Sequence, residues 1–500
     1  MQGSNKRIIA NVNKPIESKI STAAGMDMLA IESFAWTPHL ETGAEICLTE
    51  ARKDRAVGYC YIHSDNPDYT FSRRVRLFGT SIHYKVATLQ RILRREGIQI
   101  VKPLNLGKVT VQQARQFSLG LPDTLQELKA LHYKEGALGL GAASSLISKQ
   151  RDCSPGIFEN ASIVRRYLYS SAVIFEKTRA LIQHYKPKSV LLFNGRFACT
   201  KAILEAAKLE GVPVVFHERG GTKDLYRLYT RPPHDVAHRR DIIQAFWQEA
   251  PEGREAMARQ FFLRRINKEA IGWKSFVEEQ QPGLIPTRQA MRRLVYFSSS
   301  DDENAAVGDL ITHPLFKDQR EAIVFLIGWA IQQPSLELII RVHPHLKDKF
   351  KSDRLWWESL SGANITVIPA SHPTDSYALA ESADIVINYC STIGAEAAFM
   401  GRPVILLGDT GYRSLGCVYE PEDITGLLAL LEHPALPALP IDACLPYGYY
   451  CLAYGIRFEF YRPETIFKGR LLGTELAVER PWKRAYMRVI KHWKNRKSTA

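Results

Sequence analysis

The sequence predicts an α/β protein of two Rossmann-like domains facing each other across a cleft, and three observations carry that prediction. Apolar runs of strand length alternate with stretches of helical length from about residue 292 to 432, the pattern of a parallel sheet covered on both faces. A second alternation precedes it, with Ser189 to Phe193, the helical stretch Ala198 to Glu210 and Val212 to Phe216 in succession. The chain also has 500 residues, more than one hydrophobic core usually supports.

The N-terminal domain is expected over residues 1–230. Ile8 to Val12, Met28 to Ile31 and Gly58 to His63 read as its early strands, and Gly211 ends the helix that begins at Ala198. Residues 231–290 read as a helical connection, with helices over Asp241 to Gln248 and Arg254 to Lys268, then the linker Gln281-Pro-Gly-Leu-Ile-Pro286, whose prolines and glycine interrupt regular structure. The second domain, 291–435, has strands at Leu294 to Phe297, Leu336 to Ile340, Ile365 to Ile368, Ile385 to Ile387 and Val404 to Leu407, with helices at Lys317 to Gln332 and Ser391 to Met400. Pro434, Pro437 and Pro440 mark the exit from its sheet. Residues 436–500 are expected to cross back toward the first domain and end in a basic amphipathic helix.

Apolar residues at 45% and charged residues at 24% fit a water-soluble globular protein. The longest apolar run, Ala322 to Ile331, falls far short of the roughly 18 residues that cross a bilayer. The opening Met-Gln-Gly-Ser-Asn-Lys-Arg precedes too short an apolar stretch for a secretion signal, so a cytoplasmic location is expected. Eight scattered cysteines form no close pair of the zinc or redox kind. The net charge of +14 concentrates at the end of the chain: Arg480 to Lys497 holds eight Lys or Arg and no acid. Trp482, Tyr486, Val489 and Trp493 recur there at helical spacing beside cations such as Arg484, the form of a helix lying on an anionic membrane surface. The alternative is a terminal helix whose stripe packs on the body of the protein. Elsewhere the cations are dispersed and no nucleic-acid-binding module stands out, so a nucleic-acid partner is not expected.

Two strand ends in the second domain carry the functional signal. Arg341-Val-His343-Pro344 closes an apolar strand; a guanidinium can grip phosphate oxygens and an imidazole can donate to a leaving oxygen. The alternative is that Arg341 pairs with a buried carboxylate and His343 caps the strand. About fifty residues on, Ser391 and Thr392 open a helix after another strand, and Glu396 follows one turn inside it. Helix starts favour anions, and Glu396 suits a ribose diol; plain capping by Ser391 is the alternative. Weaker signals stand in two further loops. Ser298 opens the run Ser298-Ser-Ser-Asp-Asp-Glu-Asn304, whose hydroxyls can meet phosphate, and Tyr377 or His372 can touch a base.

The stretches IIRVHPHLKDK and SYALAESADIVINYCSTIGAEAAFMGRPVI resemble the C-terminal domain of GT-B glycosyltransferases, especially bacterial capsule and surface polysaccharide enzymes of the Kdo-transferase-like group. SVLLFNGRFACTKAILEAAKLEGVPVVFHERGG and AFWQEAPEGREAMARQFFLRR resemble the middle of that family, so the resemblance covers roughly residues 185–410. It implies that the C-terminal domain holds a nucleotide-sugar donor, CMP- or UDP-linked, around Arg341, His343, Ser391, Thr392 and Glu396; the two weaker loop signals add Ser298 and Tyr377 as expected further contacts. No resident cofactor or metal is expected, because Arg, His and a helix terminus can supply the positive charge and no Asp-x-Asp pair follows a strand.

Sugar transfer then requires the facing domain to provide a base and an acceptor pocket. His217-Glu218-Arg219-Gly220-Gly221 is read as the loop after the strand Val212 to Phe216, and Trp36-Thr-Pro-His39-Leu-Glu41 follows Met28 to Ile31. Glu218 is the first candidate base, and Glu41 with His39 the second; pairing of Glu218 with a neighbouring arginine, and Glu41 as a first-turn helix charge, are the alternatives. Asn194-Gly195-Arg196, with His217, Arg219 and Gly220, is expected to line the cleft. The leading expectation is transfer to a surface polysaccharide or lipid-linked glycan by an enzyme peripheral to the inner membrane. The alternatives are a two-Rossmann-domain nucleotide-sugar epimerase, which has no need of a basic tail, and a non-catalytic partner in a polysaccharide assembly complex.

Overall fold

The computed structural model describes residues 25–64, 82–269, 279–300, 305–312, 315–348, 351–465 and 468–476. The expected strand Ile8 to Val12 and the stripe of Trp482, Arg484, Tyr486 and Trp493 lie outside them, as do residues 301–304 of the serine-rich loop.

Two sheets form the body, each with five parallel strands, and these parallel parts share one winding. In the first, β1 (Met28–Glu32) lies between β2 (Val57–Tyr61) and β4 (Val190–Phe193), β3 (Gln99–Val101) flanks β2, and β5 (Val214–Arg219) flanks β4, all parallel. In the second, β7 (Arg292–Phe297) lies between β8 (Leu336–Arg341) and β10 (Ile385–Asn388), with β9 (Ile365–Ile368) and β11 (Val404–Leu406) at the edges, again all parallel. Each is a doubly wound sheet of order 3-2-1-4-5, so each has a point beside its first strand where the winding reverses. Ligands of such sheets bind in the crevice at the C-terminal strand ends there. The central strands are buried along their whole length, which is why they read as unbroken apolar runs.

β5 differs from its expected bounds. It runs on through Arg219 instead of stopping at Phe216, because an antiparallel neighbour, β6 (Leu225–Tyr229), pairs Glu218 with Arg227 and Arg219 with Tyr226. Gly220 and Gly221 then make the turn; a side chain on Gly221 would stand 1.6 Å from the Cys451 carbonyl oxygen.

The helices Val236–Gln248, Arg254–Ile266 and Leu445–Ala453 form one cluster. Gly448 lets two of them touch, since a Cβ there would lie 2.6 Å from the Phe262 ring. Phe262 stacks on Phe399 at 4.5 Å, and Arg265 with Glu396, Lys268 with Asp375 and Arg240 with Asp409 tie the same helices to the second domain. From this cluster the chain crosses to the first sheet, where β12 (Ile456–Arg457) pairs antiparallel with β6. The buried Glu45 carboxylate fastens it there, accepting from the backbone N–H groups of Glu459, Phe460 and Tyr461 at 2.6, 2.9 and 2.7 Å. A small antiparallel sheet of β13 (Tyr461–Thr465), β14 (Lys468–Leu471) and β15 (Thr474–Glu475) follows, its Tyr461, Leu471 and Leu476 buried in the core of the first domain. Among the described residues no helix is long and apolar enough to cross a membrane.

Candidate functional site

The loops at the two winding reversals open onto a single cleft. Loops after β1 and β4 bring Trp36, His39, Asn194 and Arg196, and the end of β5 brings Glu218 and Arg219, to a compartment of about 560 Å³. Loops after β7, β8 and β10 bring Ser298, Arg341, His343, Ser391 and Thr392 to a smaller one of about 180 Å³. The two compartments share Arg265, Thr392 and Glu396.

In the smaller compartment Arg341 is buried and donates through its terminal nitrogens to the carbonyl oxygens of Pro369 (2.7 Å) and His372 (3.1 Å). Its Nε has no hydrogen-bond partner, and no carboxylate pairs with it among the described residues. The bidentate grip on phosphate expected of it is therefore not free, because one hydrogen of each terminal nitrogen is committed to the chain. The charge itself is uncompensated, and burial pushes its pKa down to about 10. A buried cation without an acid partner is costly unless an anion joins it.

The neighbouring loops are laced together by serines. His343 donates its backbone N–H to Ser298 Oγ at 2.8 Å, and Cys390 donates its own to Ser299 Oγ at 3.0 Å. The backbone N–H of His345 donates to His343 Nδ1 at 3.2 Å, which fixes the remaining imidazole proton on Nε2 when the ring is neutral. The helix Ile393–Phe399 starts two residues later than expected, and its cap Thr392 makes no side-chain cap bond; the hydroxyls of Ser391 and Thr392 line the compartment instead.

Glu396 and Tyr377 depart from the roles expected of them. Glu396 is buried and both its oxygens are engaged, Oε1 by Arg265 Nε and Oε2 by the Tyr377 hydroxyl, each at 2.9 Å. It anchors Arg265 rather than presenting an open carboxylate to a ribose. Tyr377 is buried with its ring in the core of the second domain and its hydroxyl on Glu396, and it lines the smaller compartment beside Ser376. Arg265, which the sequence reading missed, stands where the compartments meet; the Glu396 carboxylate raises its pKa further.

Across the cleft, Glu218 accepts from Asn194 Nδ2 at 2.7 Å and from the Arg219 backbone N–H at 3.0 Å, and its side chain keeps a quarter of its surface exposed. Asn194 makes this hold from the left-handed region at φ 60°, a conformation that asparagine tolerates better than most residues. His39 lies under the carboxylate, tilted at 33° against the Phe193 ring with centroids 3.8 Å apart, and its Nδ1 is 3.8 Å from Glu218. Its Nε2 accepts from Arg219 Nε at 3.2 Å, so the ring is a neutral Nδ1–H tautomer. Burial, then the charges of Arg219, His217 and Lys85, hold its pKa well below the ordinary histidine value.

Two expected site residues are corrected. Glu41 does not reach the cleft: it is buried against Lys85 Nζ at 2.8 Å and accepts from Thr37 Oγ1 at 3.0 Å, a pair the sequence concealed because Lys85 is 44 positions away. His217 is also no cleft residue. Because β5 continues through it, His217 and Glu218 point to opposite faces, and His217 is sealed against Glu32 at 3.1 Å.

His39 and His234, the latter also on the cleft wall and pushed down to about 3 by burial with Arg196 and Arg239, give the protein a pH signature. Folding keeps both neutral, so the stability they carry is complete above the unfolded value of about 6.5 and is lost as pH falls below it. The slope from His39 is about 1.4 kcal/mol per pH unit. The unfolding midpoint is therefore expected to fall between pH 6.5 and 5, and to fall less in His39→Asn. Equal slopes in urea titrations of the two proteins would remove His39 as a cause.

No known family and no curated protein matches the sequence. Among solved structures, the chain is similar to two Thermosulfurimonas dismutans KpsC transferases. The β Kdo 2,4 transferase is 13% identical, covers 52% of this chain and 79% of its own, and has a TM-score of 0.35. The β Kdo 2,7 transferase is also 13% identical, covers 63% and 89%, and has a TM-score of 0.36. A UDP-GlcNAc 2-epimerase from Neisseria meningitidis bound to UDP-GlcNAc is 15% identical over 85% of this chain and 97% of its own, with a TM-score of 0.25. At such scores the assignment to a two-Rossmann-domain architecture rests on the strand orders themselves.

Proposed function

We propose that this protein is a GT-B glycosyltransferase that moves a sugar from a CMP- or UDP-linked donor to a glycan acceptor. The observation that carries the reading is that both winding reversals face one cleft whose two compartments share Arg265, Thr392 and Glu396. The nucleotide occupies the smaller compartment, its phosphate near the uncompensated Arg341 and the His343 ring, and the acceptor enters from the side of Glu218. In a direct displacement the acceptor hydroxyl gives its proton to Glu218 as its oxygen bonds to the anomeric carbon. The bond from that carbon to the phosphate oxygen breaks, the phosphate keeps the electron pair, and Arg265 and Arg341 meet the developing charge.

Thermal shift with CMP, UDP, GDP and their sugars tests the donor half. A ligand at about 100 times its Kd adds about 2.7 kcal/mol to the folded state, so at least one nucleotide is expected to raise the melting temperature, and Arg341→Ala to abolish the rise. No shift with any of them at millimolar concentration would sink the reading.

A further inference from the structure

The longest apolar run of the chain, Ala322 to Ile331, forms most of the helix Gln319–Ala330, which covers one face of the second sheet. A helix apolar on every side belongs inside a protein, yet this one has an outer face. Ala322, Ile323, Leu326 and Ala330 are buried against the sheet, whereas Val324 is 58% exposed and Ile331, at the helix end, 50%. Gly328 stands between those two at helical spacing, with nothing within 4 Å of the place a Cβ would take. Phe325, Ile327 and Trp329 flank the line half-buried. The helix Lys351–Glu358 lies alongside, its Trp356 ring 4.7 Å from the Arg320 guanidinium, and it too turns an apolar side chain outward, Leu355 at 51%. An apolar face of this kind marks a contact with another body. An anionic bilayer calls for Lys and Arg along both flanks, but the exposed charges beside this line are Lys317, Glu321 and Glu432, one cation against two acids.

We propose that the protein forms a two-fold dimer through the helix Gln319–Ala330, the partner being a second copy of the chain. The outward line complements itself run backwards. About a two-fold axis near Leu326, Val324 of each copy falls over the bare backbone of the partner's Gly328, and the Glu321 carboxylate accepts from the exposed amide of the partner's Gln332. Two-fold symmetry is the commonest arrangement of homo-oligomers, and a glycine at the crossing lets two backbones approach closely. The contact also leaves the cleft open. Leu294 and Tyr296 of β7 point to this side of the sheet and Val295 and Phe297 to the other, as alternate strand residues must, and the helix cluster packs on that other side. No residue of the pairing helix lines either compartment.

The test is sedimentation velocity of the full chain across the micromolar range. The native protein is expected to sediment as a dimer, and Val324→Glu and Gly328→Arg each as a monomer at concentrations where the native protein is paired. Both positions are open to solvent, so the circular dichroism of both variants is expected to match the native spectrum. Gly328→Cys treated with a short bis-maleimide is expected to give a cross-linked dimer, which neither the native protein nor Phe158→Cys, 67% exposed on the first domain, gives. A monomer throughout the range, a dimer that survives both substitutions, or equal cross-linking in Phe158→Cys would overturn the proposal. So would co-sedimentation of the native protein with phosphatidylcholine–phosphatidylglycerol vesicles that Val324→Glu abolishes, since the face would then belong to a bilayer. None of these readouts involves a nucleotide, so the transferase reading is tested apart from this one.

Discussion

Replacing Glu218 with glutamine is expected to lower turnover about a thousandfold, within the range of a positioned general base, and to leave the fold and the nucleotide-induced rise in melting temperature unchanged. The carboxylate is the exposed acid on the N-terminal wall, and Asn194 and the Arg219 backbone hold its two oxygens so that it faces the cleft. Glutamine keeps the shape but cannot take the acceptor's proton. Since this proton moves only in the reacting complex, kcat and kcat/KM should fall together. Turnover within about tenfold of the native protein would transfer the role elsewhere. The neutral His39 beneath would then be the next group to examine, although Arg219 already occupies its Nε2.

Glu45→Ala is expected to produce the largest loss of stability. Three backbone N–H groups, from Glu459, Phe460 and Tyr461, converge on this buried carboxylate. Each unsatisfied donor costs about 1–3 kcal/mol where water cannot reach it. Glu459 is exposed to solvent, so the sum should be nearer about 2–4 kcal/mol. The loss should appear first where the carboxylate holds the chain, as early protease cleavage between residues 455 and 476, followed by a lower urea midpoint. An unchanged midpoint together with an unchanged cleavage pattern would show that the β12 pairing alone secures the segment.

Much of the scaffold was legible because buried parallel strands must be apolar throughout. Leu336 to Ile340 and Ile365 to Ile368 were visible as runs and fell within one residue of β8 and β9. The polar residues after them were legible for the same reason, since a hydroxyl or guanidinium directly after such a run stands at a strand end. What the sequence withheld were pairings made in three dimensions. Lys85 removes Glu41 from the cleft, Glu32 removes His217, and Arg265 reaches Glu396 from a separate helix 131 positions away. The bounds of β5 were misread because its last residues, His217 to Arg219, are polar and are kept in the sheet by hydrogen bonds to β6. Nothing within residues 212 to 221 announces that partner.

The return of the chain to its first domain also has a consequence for synthesis. β12 pairs with β6 but is translated more than two hundred residues after it, which at about 5–20 residues per second is a delay on the order of ten seconds or more. Throughout that interval the edge of the first sheet is bare on the nascent chain, and the Glu45 carboxylate has no backbone donors to receive it. The N-terminal half therefore leaves the ribosome with an open strand edge, the feature by which one unfinished chain can capture another, and a holding chaperone would find its binding surface there.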